Sequence, residues 1–101
     1  MQTTLTDPGT LYRDPTGRVW CVLSSEAGTA AVAPLAPSRP AMAGDLELRS
    51  GGAIRTSGVR LAVPVGDWIG CISEIERQLA IREAERVAET RRVMAKQAPL
   101  A

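Results

Sequence analysis

The chain has 101 residues, enough for one domain with a modest core, and 45% hydrophobic against 3% aromatic content makes that core one of Val, Leu, Ile and Ala. A net charge of +1 argues against a strongly basic nucleic-acid platform, though it leaves room for a local basic patch. There is no histidine, and Cys21 and Cys71 stand alone, so no metal or other cofactor is expected and Ser-His or Cys-His nucleophile pairs are disfavoured. No apolar run approaches the roughly 18 residues of a membrane span, and residues 1–6 lack a basic-then-apolar leader. A cytoplasmic protein with no membrane attachment is expected.

Residues 1–9 are polar and contain Asp7-Pro8-Gly9, which predicts a loose arm. Leu11-Tyr12-Arg13 is a short extended piece. Asp14-Pro15-Thr16-Gly17 fits a type I turn, with Asp at the first position, Pro fixing φ at the second and Gly at the fourth. Arg18 to Leu23 leaves the turn as a strand with Val19, Cys21 and Leu23 on one face and Trp20 and Val22 on the other; two apolar faces predict a central strand. Both cysteines sit among apolar neighbours and read as buried thiols acting as small hydrophobes, with a disulfide between them as the other possibility. Ala30 to Leu35 forms the next strand, and Pro34, which has no N–H for a ladder, belongs at an edge or bulge. Pro37 to Pro40 is a loop in which Ser38 and Arg39 are either solvated or presented to a partner. Leu46 and Leu48 alternate with charged residues as in a half-buried strand, Ser50-Gly51-Gly52 supplies a turn, and Ala53 to Ser57 and Val59 to Val63 are further extended runs.

The C-terminal third is different in kind. Ser73-Glu74-Ile75-Glu76 is a capping box, and no Pro or Gly interrupts the chain from there to Lys96. The spacing predicts a helix over 73–97 that packs Ile72, Ile75 and Leu79 on the sheet, followed by Ala80, Ala84 and Val87. Past Val87 the apolar stripe weakens, and Arg82, Arg86, Arg91, Arg92 and Lys96 make the distal end basic around Met94; this is either a solvated face or a binding surface. The expected fold is therefore mainly β with a C-terminal helix: five or six antiparallel strands over 10–66, strongly bent or closed as a small barrel, in one domain over 10–101.

The order of these pieces resembles the MazF/PemK family of toxin ribonucleases, whose fold is shared with CcdB and Kid. Gly17-Arg18-Val19-Trp20-Cys21-Val22 looks like the G-x-[IV]-W-x-V strand that opens that family, and Ala31-Val32-Ala33-Pro34-Leu35 is similar to its V-V-P-[LV]-T strand. Ile54-Arg55-Thr56-Ser57-Gly58-Val59 resembles I-R-T-T-G-V, and Ile69-Gly70-Cys71-Ile72-Ser73 resembles the I-G-x-[IL]-S lead into the last helix. The resemblance spans roughly residues 17–80 and implies an SH3-like, MazF-like bent sheet or barrel with a long helix.

There are also departures. The family's R-P-x-[VL]-[VI] strand and the long loop before it have no counterpart in this reading. Where PemK-type ribonucleases carry Arg-x-Asp after the T-T-G-V segment, this chain has Leu61, Ala62 and Val63, with Arg60 one place early and so on the opposite face of a strand. The first expectation is therefore a non-catalytic, inhibitory protein-binding module, phage- or plasmid-borne, as CcdB-type proteins bind through their C-terminal helix. Its contacts would be Ser38, Arg39, Trp68, Arg86, Arg91, Arg92, Met94 and Lys96, toward a partner with an acidic surface or a second copy of the chain. Trp68 follows a Gly-Asp turn and is either such a contact or core. The alternative is a sequence-specific endoribonuclease toxin of a type II toxin-antitoxin system, acting on RNA through Arg18, Arg55, Thr56 and Arg60. A purely structural small subunit is a third possibility.

Overall fold

The computed structural model describes residues 5–36, 45–49 and 51–97. Seven strands and one helix follow in order: β1 (Thr10–Arg13), β2 (Val19–Glu26), β3 (Thr29–Ala36), β4 (Asp45–Glu47), β5 (Ala53–Arg55), β6 (Arg60–Ala62), β7 (Asp67–Cys71) and α1 (Glu74–Gln97). The strands pair antiparallel in the order β4-β5-β3-β2-β1-β7, with β6 alongside β3, so the sheet bends without closing into a barrel. The segment Ile69 to Cys71, read as a lead into the helix, belongs to β7 and pairs with β1.

Strand β2 is the centre, for the reason its sequence suggests. Cys21 and Leu23 enter one cluster with Ala33, Leu48, Ile54 and Ala80, between sheet and helix. Trp20 and Val22 enter a second on the opposite face with Tyr12, Ala30 and Val32, edged by Leu5 and Ala62. Gly9 ties this region together, donating its N–H to Val22 O at 2.7 Å and accepting from the Ile72 N–H at 2.8 Å. Both cysteines are free. Cys21 is buried, and burial pushes its thiol up to about 12, whereas Cys71 is exposed on β7 rather than buried.

Strand β3 changes partner along its length. Residues 30–32 pair with β6 and residues 35–36 with β5. Pro34 falls in the gap, where its missing N–H leaves no bond unmade on that side. The gap is filled by a single 3-10 turn, Thr56–Gly58, so the extended run expected to reach Ser57 ends at Arg55. A Cβ on Gly58 would come within 2.9 Å of the Pro34 ring, so this close approach requires glycine. Gly66, at φ +136°, lets the chain cross the Arg13 carbonyl, which a Cβ there would meet at 2.0 Å. That crossing brings β7 back to β1.

The capping box forms as its sequence predicts: Ser73 Oγ accepts the Glu76 N–H at 3.1 Å and Glu76 Oε1 accepts the Ser73 N–H at 3.1 Å. The docking face keeps Ile72 and Ala80 of the predicted stripe but not Ile75 and Leu79. Ile75 is 74% exposed and Leu79 43%, while Ala80 is fully buried and Ile72 and Ile81 pack beside it. Polar anchors set this rotation. Arg77 Nη1 donates to Leu23 O at 3.0 Å, and Glu76 Oε2 accepts the Arg49 N–H at 2.9 Å. Small Ala80 then lets the backbone of α1 approach the sheet. Glu83–Arg86 and Glu89–Arg92 ion pairs run along the solvent side, and Glu74 pairs with the sheet-anchored Arg77. Among the described residues no helix is long and apolar enough to cross a membrane.

Candidate functional site

Three segments meet at a cleft of about 430 Å³: Gly17 to Val19 from the β1–β2 turn, Pro34 to Ala36 from the end of β3, and Arg55 from the end of β5. Each is placed by a local device. Asp14 builds the turn, its carbonyl accepting the Gly17 N–H at 2.9 Å while Oδ1 accepts from the Thr16 N–H, the Thr16 hydroxyl and the Arg18 N–H. Its second oxygen accepts the Trp20 indole N–H at 2.8 Å. These bonds, led by that of Thr16, hold the Asp14 carboxyl at about 2, well below its ordinary value. The result is a turn that presents Arg18 in a fixed position at the mouth of the cleft.

Arg55 is held differently. The β4–β5 register sets Asp45 opposite Arg55, and Arg55 Nε lies 3.5 Å from Asp45 Oδ1. The Asp45 side chain is wholly buried and that of Arg55 is 34% exposed, so this is a partly buried ion contact with no hydrogen bond between the two atoms, and Arg55 also lines the cleft. A planar guanidinium with five donors suits phosphate recognition. Two of them, Arg18 and Arg55, line the cleft together. Its described lining contains no carboxylate or sulfur ligand, and among the described residues no three His, Cys, Asp or Glu side chains gather to hold a metal. The arrangement can bind an anion and stabilise negative charge building on it.

The four residues named from sequence for a ribonuclease site are only partly brought together. Arg18 and Arg55 share the cleft. Arg60, at the start of β6, comes over the Trp20 ring at 4.3 Å from its centroid, the ring that Arg18 approaches at 5.5 Å. Thr56 is buried and lines a separate groove between the 3-10 turn and the helix, with Val59, Ala84 and Val87. Three residues that shape the site were not singled out from sequence: Asp14, Trp20 and Asp45. Asp45 had a usable signal, since a hairpin turn at Ser50-Gly51-Gly52 that pairs Leu46 with Ile54 also sets Asp45 opposite Arg55.

The residues named for partner binding fall on two elements. Trp68 is 49% exposed on the edge strand β7. Arg86, Arg91, Arg92, Met94 and Lys96 are exposed on the distal half of α1, where Arg86, Glu89, Thr90, Val93 and Met94 border a shallow apolar groove. Arg86 and Arg92 are there paired with Glu83 and Glu89. Ser38 and Arg39 lie outside the described residues.

No protein-family model matches the chain, and no curated protein does. Solved structures do. An endoribonuclease from a mycobacterial species superposes with a TM-score of 0.70 at 11% identity, over 87% of this chain and 96% of that one. An endoribonuclease in complex with its cognate antitoxin, also mycobacterial, gives 0.68 at 14% identity over 81% and 93%. The MazE-MazF structure from Deinococcus radiodurans gives 0.70 at 11% identity over 86% and 97%. The bent seven-stranded sheet with its C-terminal helix is a MazF-like fold.

Proposed function

We propose that this chain is an endoribonuclease toxin of the MazF type, acting on single-stranded RNA at the Arg18–Arg55 cleft. This reverses the order of the two readings drawn from sequence. The observation that carries it is the meeting of two arginines in one cleft, Arg18 from the Asp14-built turn and Arg55 beside Asp45, on a fold shared with two endoribonuclease structures and a MazE-MazF structure.

The strand count adds support. Two strands, β1 and β2, precede the V-A-P-L strand β3, and the antiparallel sheet with its C-terminal helix is common to this fold. Ala36 follows Leu35 where the family motif ends in Thr, and it lines the cleft.

In the reaction the 2′-oxygen bonds to the adjacent phosphorus, the bond from phosphorus to the 5′-oxygen breaks, and the proton of the 2′-hydroxyl ends on the departing oxygen. Negative charge grows on the phosphoryl oxygens in the transition state, and Arg18 and Arg55 would donate to them. With no carboxylate or imidazole in the described lining, proton transfer passes through water. A protein partner belongs to the same proposal, since two of the three similar structures hold an antitoxin or MazE.

The test is incubation of the purified chain with mixed-sequence single-stranded RNA. Cleavage at recurring sites, lost in Arg18→Ala and in Arg55→Ala, is the expected result. An intact substrate after long incubation at high protein concentration would return the protein-binding module to first place. One observation favours that second reading: Val93 and Met94, exposed at 40% and 65%, border the distal helix groove among basic residues and have no core to reach.

A further inference from the structure

Arg18 and Arg60 reach one indole from different parts of the chain, the first from the β1–β2 turn and the second from β6, which arrives alongside β3. Both distances to the Trp20 centroid, 5.5 and 4.3 Å, are within cation–π range. The ring is a fixed platform: it is 4% exposed and its N–H is donated to Asp14.

The two cations lie within the roughly 10 Å over which ordinary salt screens charge, so they repel and their fields add. The nearby carboxylate of Asp14 is occupied with Thr16, the Arg18 backbone and the Trp20 indole. Among the described residues the carboxylate ion pairs go to Arg55, Arg77, Arg86 and Arg92, and to neither Arg18 nor Arg60. Two exposed guanidiniums beside one buried ring, neither in a salt bridge among the described residues, concentrate positive charge there.

Arg18 belongs both to this pair and to the cleft. An anion bound by Arg18 and Arg60 would therefore neighbour one bound by Arg18 and Arg55. Closely repeated anions are what a nucleic-acid backbone provides. Trp20 is too buried to stack on a base, so this contact reads phosphate and not sequence. We infer that Arg60, with Arg18, forms a second phosphate subsite on the Trp20 platform, holding the RNA phosphodiester next to the one in the cleft. The inference rests on the ribonuclease reading and assigns Arg60 to substrate binding, not to the chemical step.

Counterion release tests it. Binding of the full-length chain to a fluorescently labelled 2′-O-methyl RNA, which lacks the attacking hydroxyl, is measured by anisotropy over a range of salt. Losing one phosphate contact lowers the slope of log affinity against log salt by about 0.7 for a single strand. Arg60→Gln should show that loss and Arg60→Lys, which keeps the charge and controls for folding, should keep the wild-type slope. Arg82→Gln, an exposed cation on the helix, should also keep it. A wild-type slope in Arg60→Gln, or an equal loss in Arg82→Gln, would overturn the subsite and leave the ribonuclease reading standing. Wild-type protein that neither binds nor cuts RNA would overturn both.

Discussion

Trp20 donates its indole N–H to Asp14 Oδ2 at 2.8 Å, across the turn that delivers Arg18 to the cleft. The turn, the buried ring and the cleft are thus one unit. Asp14 was legible from sequence only as the first residue of a type I turn. In the structure it also fixes the platform that Arg18 and Arg60 share.

The unit titrates in acid. Asp14 is held at about 2 against an ordinary 3.8, first by the Thr16 hydroxyl and then by the Trp20 indole. A carboxyl depressed by folding adds stability that is fully present above its unfolded value and is lost as pH falls through its folded one. Thermal stability should therefore drop between about pH 4 and pH 2, and Asp14→Asn should flatten part of that drop. Glu74, also at about 2 through Arg77 and Gln78, titrates in the same window, so the difference between the two melting curves is the quantity to read. Parallel curves would show that Asp14 is not bonded as described.

The pH profile of RNA cleavage follows from the cleft lining. Its described lining holds Arg18 and Arg55 and no carboxylate, imidazole or thiol to serve as a general base. The rate of the chemical step should rise steadily from about pH 6 to pH 9. A bell with two side-chain values in that range would mean that an acid–base pair from elsewhere enters the site.

Two substitutions separate core from surface. Ile54 is fully buried between sheet and helix, and Ile54→Ala should cost about 2–5 kcal/mol in urea unfolding. Leu79 is 43% exposed, so Leu79→Ala should cost about 1 kcal/mol or less. Equal losses would mean that the helix docks through the face the sequence first suggested.

Residues 88–96 are all exposed, so the distal half of α1 contributes little to the core. A chain ending at Val87 should melt close to the full-length temperature. If that half binds a protein, or a second copy of the chain, the truncated chain should lose the partner in pull-down or shift toward monomer in sedimentation equilibrium. Binding that survives the cut places the contact on another surface, with the β7 edge around Trp68 the next to test.

Features that depend on near neighbours could be read from the chain alone. The Asp14 turn, the two apolar faces of β2 and the Ser73 capping box each rest on residues within a few positions of one another, where local propensity and periodicity act directly. The helix expected over 73–97, found as Glu74–Gln97, was legible on the same scale. Features that join distant segments were decided by tertiary structure. Ile75 and Leu79 have the apolar character of a docking face, but Glu76 and Arg77 meet Arg49 and Leu23 from other elements and turn α1 onto Ala80. Asp45 faces Arg55 only once the hairpin register is set, and Arg60 reaches Trp20 only because β6 pairs with β3. A side chain's chemistry is encoded where it stands, whereas its partner is chosen by the pairing of strands far apart in sequence.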